Sequence, residues 1–355
     1  MRKYMILGLM ACTATPALAG GIERNPQSMN ILFQEGNYLE LGATYGRPRV
    51  SGRGVLFAPA GTGNITRSFF SGSLSFKGDI NDQLSYAIIL DQPFGADTFY
   101  PSDSALADSF GKVDNTMLTG VMRYKFGNGF SAHAGLRSSW LSGSVGLPIF
   151  GNYSMSTNTD QAWGYLVGAA YEMPEIALRV ALTYNSKIKH NLTATENDGP
   201  FLAGQQPSDF DTNIPQSVNL EFQTGVAEDT LVFGSVRWVN WKDFEISPDA
   251  FPGLVTYDKN STTYTLGVGR RFNENLSGSV SITHDTGNGS TTGNLGPVGT
   301  RNSIGLGLSY TKDSVTISGG VQYSRLGSVT TRPPVSNRFS GNSAIGAGIR
   351  IGYSF

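Results

Sequence analysis

Ile345-Gly346-Ala347-Gly348-Ile349-Arg350-Ile351-Gly352-Tyr353-Ser354-Phe355 ends the chain with an apolar or aromatic side chain at every odd position and Gly, Arg or Ser between them. Successive side chains of a strand point to opposite faces, so this stretch presents one apolar face and one small or polar face. The same period recurs along the chain. Leu39, Leu41, Ala43 and Tyr45 oppose Glu40, Gly42 and Thr44 in 38–50, and Phe70, Leu74 and Phe76 oppose Ser71, Ser73 and Ser75 in 64–77. Further alternating segments occupy 83–92, 116–126, 129–141, 162–172, 175–187, 215–225, 230–241, 262–272, 275–284, 302–311 and 314–325, which with 343–355 makes fourteen. One such segment is weak evidence for a strand; fourteen in succession are strong. An apolar face must be covered. A sandwich needs a second sheet, whereas a closed barrel in a bilayer satisfies every backbone group and leaves no edge. The expected fold is all-β: a closed antiparallel transmembrane β-barrel of about 14 strands over 38–355.

The links support this reading. Asn81-Asp82, Gly127-Asn128-Gly129, Met173-Pro174, Ala227-Glu228-Asp229 and Lys312-Asp313 are tight and carry turn residues. Every other link is longer, with 91–115 and 188–214 the longest. Short periplasmic turns alternating with long extracellular loops are the habit of membrane barrels, and an even strand count places both barrel ends on the periplasmic side.

Residues 1–19 read as a signal peptide. Arg2 and Lys3 precede an apolar run from Tyr4 to Ala14, and Ala17-Leu18-Ala19 is a small-residue cleavage site. Leu9-Met10-Ala11-Cys12 loosely resembles a lipoprotein box, but too brief an apolar core precedes it. Cys12 is the only cysteine, so cleavage after Ala19 leaves neither a disulfide framework nor a thiolate metal site. Forty-five glycines, fifteen tyrosines and a net charge of −1 suit an exported barrel. The slightly negative mean hydropathy fits too, because barrel strands show lipid only every second residue. The balanced charge gives no reason to expect nucleic acid. The expected location is the bacterial outer membrane.

The polar face then lines the lumen and holds Glu40, Arg123, His133, Arg137, Arg179, Glu221, Arg237 and Arg350. Such residues either pair with each other in a wet interior or line a conduit. Of the histidines, His284 falls on the apolar face, His190 at a loop rim, and His133 inward with no nucleophile motif beside it. No metal-ligand spacing and no nucleotide-binding motif appears. No catalytic residue, metal or cofactor is therefore assigned, and an enzyme is not expected. Apolar residues are dense in three exposed loops: Phe94, Phe99, Tyr100 and Phe110 in 91–115; Leu147, Ile149 and Phe150 in 142–160; Phe201 and Leu202 in 188–214. They either cap the barrel mouth or line an entry site for apolar cargo.

Several segments resemble the long-chain fatty-acid transporter family of outer-membrane proteins, the FadL/TodX type that includes transporters of aromatic hydrocarbons. These are Ile80-Asn81-Asp82-Gln83, Leu182-Thr183-Tyr184-Asn185-Ser186-Lys187-Ile188-Lys189, Ile214-Pro215, Val236-Arg237-Trp238-Val239-Asn240-Trp241 and Tyr353-Ser354-Phe355. The resemblance implies passive uptake of hydrophobic small molecules, such as long-chain fatty acids or similar lipophilic compounds, with a general diffusion porin for small hydrophilic solutes as the alternative. It also implies a kink in strand three that opens a lateral window, matched here by Asp91-Gln92-Pro93-Phe94-Gly95. Proline withholds a ladder donor and glycine tolerates a bend; the plainer reading is that Pro93 merely ends the strand. For a carboxylate cargo the expected cations are Arg137 and Lys259, the latter near a basic pocket residue of the family. Expected partners are the hydrophobic ligand, outer-membrane lipid and lipopolysaccharide, and the barrel-assembly machinery through Phe355. Two departures stand out. The segment before strand one, 20–37, is far shorter than the family's plugging hatch, with Asn25-Pro26-Gln27 in place of the Asn-Pro-Ala that ends it. The extracellular loops are also shorter than in the fatty-acid prototype.

Overall fold

The computed structural model describes residues 21–55, 61–198, 204–297 and 299–355. The signal-peptide reading of 1–19, and Phe201 and Leu202, lie outside the described residues. Fourteen strands form the barrel wall: β1 (Tyr38–Arg49), β2 (Phe69–Asp79), β3 (Leu84–Asp91), β4 (Phe110–Gly127), β5 (Phe130–Leu147), β6 (Asp160–Met173), β7 (Leu178–Asn185), β8 (Ser217–Ala227), β9 (Thr230–Val239), β10 (Ser261–Arg271), β11 (Leu276–Asp285), β12 (Arg301–Lys312), β13 (Val315–Leu326) and β14 (Asn342–Ser354). Each pairs antiparallel with its chain neighbours. β1 pairs with β14 as well as β2, Tyr38 lying opposite Ser354 and Arg49 opposite Ser343, so the sheet closes on itself.

The alternation sorts side chains as the sequence predicts. Leu41, Phe70, Leu136, Trp163, Leu266, Ile282, Leu308 and Ile345 are 49–67% exposed. So wide an apolar belt is untenable in water and natural in lipid. At the rim holding Tyr38 and Ser354 the turns are tight. Gly127, Asn128 and Gly129 all take positive φ (90°, 51° and 82°), as do Asp229 (56°) and Asp313 (52°), conformations that Gly, Asn and Asp tolerate.

At the opposite rim the long links are built rather than loose. β4 and β5 run beyond the predicted 116–126 and 129–141. Residues 188–214, expected as loop, form a hairpin of strands Ile188–Asn197 and Gln205–Ile214. The buried face of its first strand is Ile188, His190, Leu192, Ala194 and Glu196, so His and Glu interrupt the apolar period that would have revealed it.

Residues 21–37 cross the lumen and use the inward polar residues as their socket. Asn219 Nδ2 donates to the Gln27 carbonyl (2.9 Å), and Ser28 Oγ donates to Glu221 (2.6 Å). Arg179 donates to Asn30 Oδ1 (2.8 Å), Arg123 to the Leu32 carbonyl (3.1 Å) and Lys77 to the Gly36 carbonyl (2.7 Å). Arg237 Nε donates to Glu23 Oε1 (2.9 Å). The Phe33 ring, at the end of the 3₁₀ turn Asn30–Phe33, lies against the guanidinium groups of Arg123 and Arg179 at 4.4 and 4.6 Å. Ile31 and Leu32 pack on the inner faces of β3, β4 and β6 through Ala87, Ile89, Val121 and Leu166.

Candidate functional site: a wall opening beside an apolar cavity

β3 pairs with β2 from Asp79 opposite Ser85 up to Leu74 opposite Leu90, while β2 stays paired with β1 as far as Phe69. The next links across this seam are the bridge between Thr66 and Thr98 and the bond from Arg67 N–H to the Asp97 carbonyl (3.3 Å). Between them, 68–73 face 91–96 without a ladder pair among the described residues, a gap on the order of 20 Å along the strand.

The cause lies in the register with β4. Asp91 sits opposite Met117 and Gly95 opposite Asp114, so residues 92–94 oppose only Asn115 and Thr116. One extra residue makes a bulge and reverses the side-chain parity. Below the break odd residues such as Ala87 and Ile89 turn inward. Above it, in the continuing strand Gly95–Phe99, the even residues do, and Thr98 Oγ1 donates to the Leu295 carbonyl (2.9 Å). The freed backbone groups are taken up by the N-terminal segment. The Gly95 N–H donates to the Ile22 carbonyl (2.8 Å), the Pro93 carbonyl accepts from the N–H groups of Arg24 (2.7 Å) and Asn25 (3.2 Å), and Glu23 bridges to Phe94.

Behind the gap lies an apolar cavity whose walls include Ile22, Val113, Leu141, Phe210, Phe244 and Tyr257. Such a lining suits an apolar small molecule. A second space shares Ile22, Ala96, Tyr257 and Leu295 with it and extends to Thr66, Phe69, Gly95 and Thr98 at the gap. Burial pushes the Tyr257 hydroxyl above its ordinary pKa, so it is neutral here. Trp241, fully buried, joins the parts: its ring centroid is 6.2 Å from Phe94, 5.9 Å from Phe244 and 5.5 Å from Tyr257. A Cβ on Gly21 would lie 2.5 Å from the same ring. A third space with polar side chains in its wall lies toward the tight-turn rim, bounded by 25–31 and by Glu40, Ser71, Ser73, Asp91 and Arg137.

The sequence candidates scatter among these features. Pro93, Phe94 and Gly95 are buried at the break, and Asp91 stands at its lower edge in the polar space. Leu147 belongs to the apolar cluster around the cavity, and Phe150 is wedged between it and the cap, its ring 5.5 Å from Phe251. Tyr100 is buried instead in the cap cluster with Val50, Ile65 and Phe339, its hydroxyl donating to the Asn294 carbonyl (2.7 Å). Phe99 lies under the Arg67 guanidinium (4.6 Å), and Phe110, opposite it, is exposed at the outer wall. Neither expected cation reaches the apolar cavity. Arg137 is fully buried in the polar space, with Nη2 on Met117 Sδ (2.8 Å), and Lys259 is exposed in a loop. Sequence reasoning missed Val113, Leu141 and Val145, which bring apolar side chains onto the inward parity of β4 and β5. That break in the inside-polar rule is the signal that marks them.

One cluster has the distances of a hydrolytic triad. His190 Nε2 lies 3.1 Å from Ser139 Oγ, and His190 Nδ1 lies 2.8 Å from Asp160 Oδ2. Ser139 and His190 are 0% exposed and Asn115 Nδ2 also donates to the Ser139 hydroxyl (2.8 Å). A nucleophile needs room for a reacting carbonyl, and this hydroxyl is enclosed. The cluster clamps the 188–214 hairpin to the wall.

The family model described as "Outer membrane protein transport protein (OMPP1/FadL/TodX)" matches residues 10–333. Among solved structures, a Pseudomonas aeruginosa FadL homologue superposes with a TM-score of 0.78 at 15% identity, covering 95% of this chain and 96% of that one. The Pseudomonas putida toluene transporter TodX gives 0.66 at 15% identity over 91% of each chain. The Ralstonia pickettii toluene transporter TbuX gives 0.65 at 15% identity, over 96% of this chain and 97% of that one. At such identities the likeness establishes the fold. No curated protein matches by sequence.

Proposed function

Because the chain belongs to the outer membrane protein transport protein family (OMPP1/FadL/TodX), we propose that it moves hydrophobic small molecules inward by holding them in the apolar cavity and releasing them sideways through the break at 92–94. The observation that carries this reading is continuity. The cavity and the space beside it share four lining residues, and the second space ends at the unpaired seam between β2 and β3. Apolar cargo leaving there enters hydrocarbon directly and avoids the polar lumen, which the N-terminal segment occupies.

The cavity suits neutral cargo. Its one charged lining residue among those described, Lys112, is paired with Asp114 (2.7 Å), and both side chains are half exposed. A carboxylate would therefore enter an apolar site without a free cation, at high desolvation cost. No nucleotide-binding motif is present in the sequence, so any energy input would come from elsewhere.

The test compares cells expressing the full chain with cells lacking it. The probe is N-phenyl-1-naphthylamine, a neutral aromatic amine that fluoresces on entering a bilayer, and palmitate serves as the charged comparison. Faster, saturable entry of the neutral probe, together with low ionic conductance of the purified protein in planar bilayers, is the expected result. A large steady conductance with no effect on probe entry would overturn the reading in favour of a diffusion porin.

A further inference from the structure

The geometry points to Arg24 as a movable bar across the wall opening, resting on Phe69 and withdrawing to let cargo through; this rests on the transport reading above. The Arg24 backbone is fixed on the β3 side, its N–H bonded to the Pro93 carbonyl at 2.7 Å. Its side chain then returns past Gly95 and ends with the guanidinium carbon 4.8 Å from the Phe69 ring centroid on β2. The side chain thus runs from one edge of the unpaired seam to the other.

Gly95 makes this path possible. A Cβ there would lie 2.5 Å from Arg24 Cζ and 2.7 Å from Nε, so only a residue without a side chain lets the guanidinium lie against the strand. The bar also stands in the route of cargo. Arg24, Phe69 and Gly95 all line the space that shares Ile22 and Ala96 with the apolar cavity. Asp97 and Asp114 attract the guanidinium less than burial disfavours it, and each has a cation of its own, Arg67 at 3.9 Å and Lys112 at 2.7 Å. The aromatic face of Phe69 is therefore the contact that holds the cation at a greasy exit. Because Arg reaches on a long flexible stem, the bar can swing without breaking the backbone bonds that seat residues 22–25.

Two variants and two readouts test this, using the full chain and N-phenyl-1-naphthylamine as the probe. Arg24→Ala removes the bar, and Phe69→Leu removes its rest while leaving every bond of the N-terminal segment in place. Both are expected to raise the initial rate of probe entry about two- to fivefold, the factor by which losing one cation–π contact shifts an open–closed equilibrium. Equilibrium binding of the probe to the purified protein should stay unchanged, because the contact lies outside the apolar cavity. If Arg24→Ala also raises ionic conductance, the segment itself has loosened and Phe69→Leu decides: faster entry at wild-type conductance supports the bar. Entry by Phe69→Leu equal to or slower than wild type, with wild type well above cells lacking the protein, overturns it. Wild type indistinguishable from cells lacking the protein would instead sink the transport reading.

Discussion

Trp241 shows how much of the site hangs on one side chain. It touches the start of the N-terminal segment, the break and the cavity wall, and it is fully buried. Trp241→Ala should cost about 3–5 kcal/mol of stability, as removal of a large buried aromatic does, and weaken probe binding at the same time; urea titration in micelles and fluorescence binding check the two effects. His190 carries a pH prediction. Burial lowers its pKa below the ordinary histidine value, against the pull of Asp160. The unfolded hairpin therefore takes up a proton at a higher pH than the folded one, so the His190 contribution is intact above pH about 6.5 and is lost as pH falls through that value. Hydrogen-exchange protection factors in 188–197 should fall between pH 7 and 5 in wild type. In His190→Gln that fall should be absent.

The elements of the wall were legible because lipid imposes a period of two on them. Ile345 to Phe355 revealed the last strand, and the same test found the other thirteen within a few residues. What escaped were elements whose buried face is chemically mixed. The strand Ile188–Asn197 buries His190 and Glu196 beside Ile188 and Leu192, so its pattern reads as a loop. The upper ends of β4 and β5, 110–115 and 142–147, escaped for the opposite reason, since Val113 and Val145 are apolar on the inward side. Pro93 and Gly95 drew attention to this segment, but the extra residue at 92–94 is visible only in the register with β4. The N-terminal segment, short as it is, finds partners in Glu221, Arg237 and Arg179, which the sequence placed inward without revealing what they hold. Arg237→Met removes the hydrogen-bonded ion-pair partner of buried Glu23, a change worth up to about 3–5 kcal/mol when a buried ion pair is broken. The expected outcome is a loosened segment, read as a rise in single-channel conductance, while heat-modifiable migration on gels shows the barrel still assembled.

At the scale of the whole molecule, a closed barrel has no edge and no natural side door, so one must be built in. Here the proposed door rests on a single additional residue. It interrupts one seam of a fourteen-stranded wall, shifts the strand's inward face from odd residues below to even residues above, and frees backbone groups that the N-terminal segment takes up. Deleting Pro93 removes both the extra residue and the missing donor. Gln92 would then oppose Thr116 and Phe94 would oppose Asn115, with each half of the strand keeping its present inward face. The decisive measurement is the entry rate of N-phenyl-1-naphthylamine in cells expressing this deletion, with assembly verified by heat-modifiable migration. Entry falling to the level of cells without the protein is the predicted result; an assembled deletion variant that admits the probe as fast as wild type would contradict a lateral route.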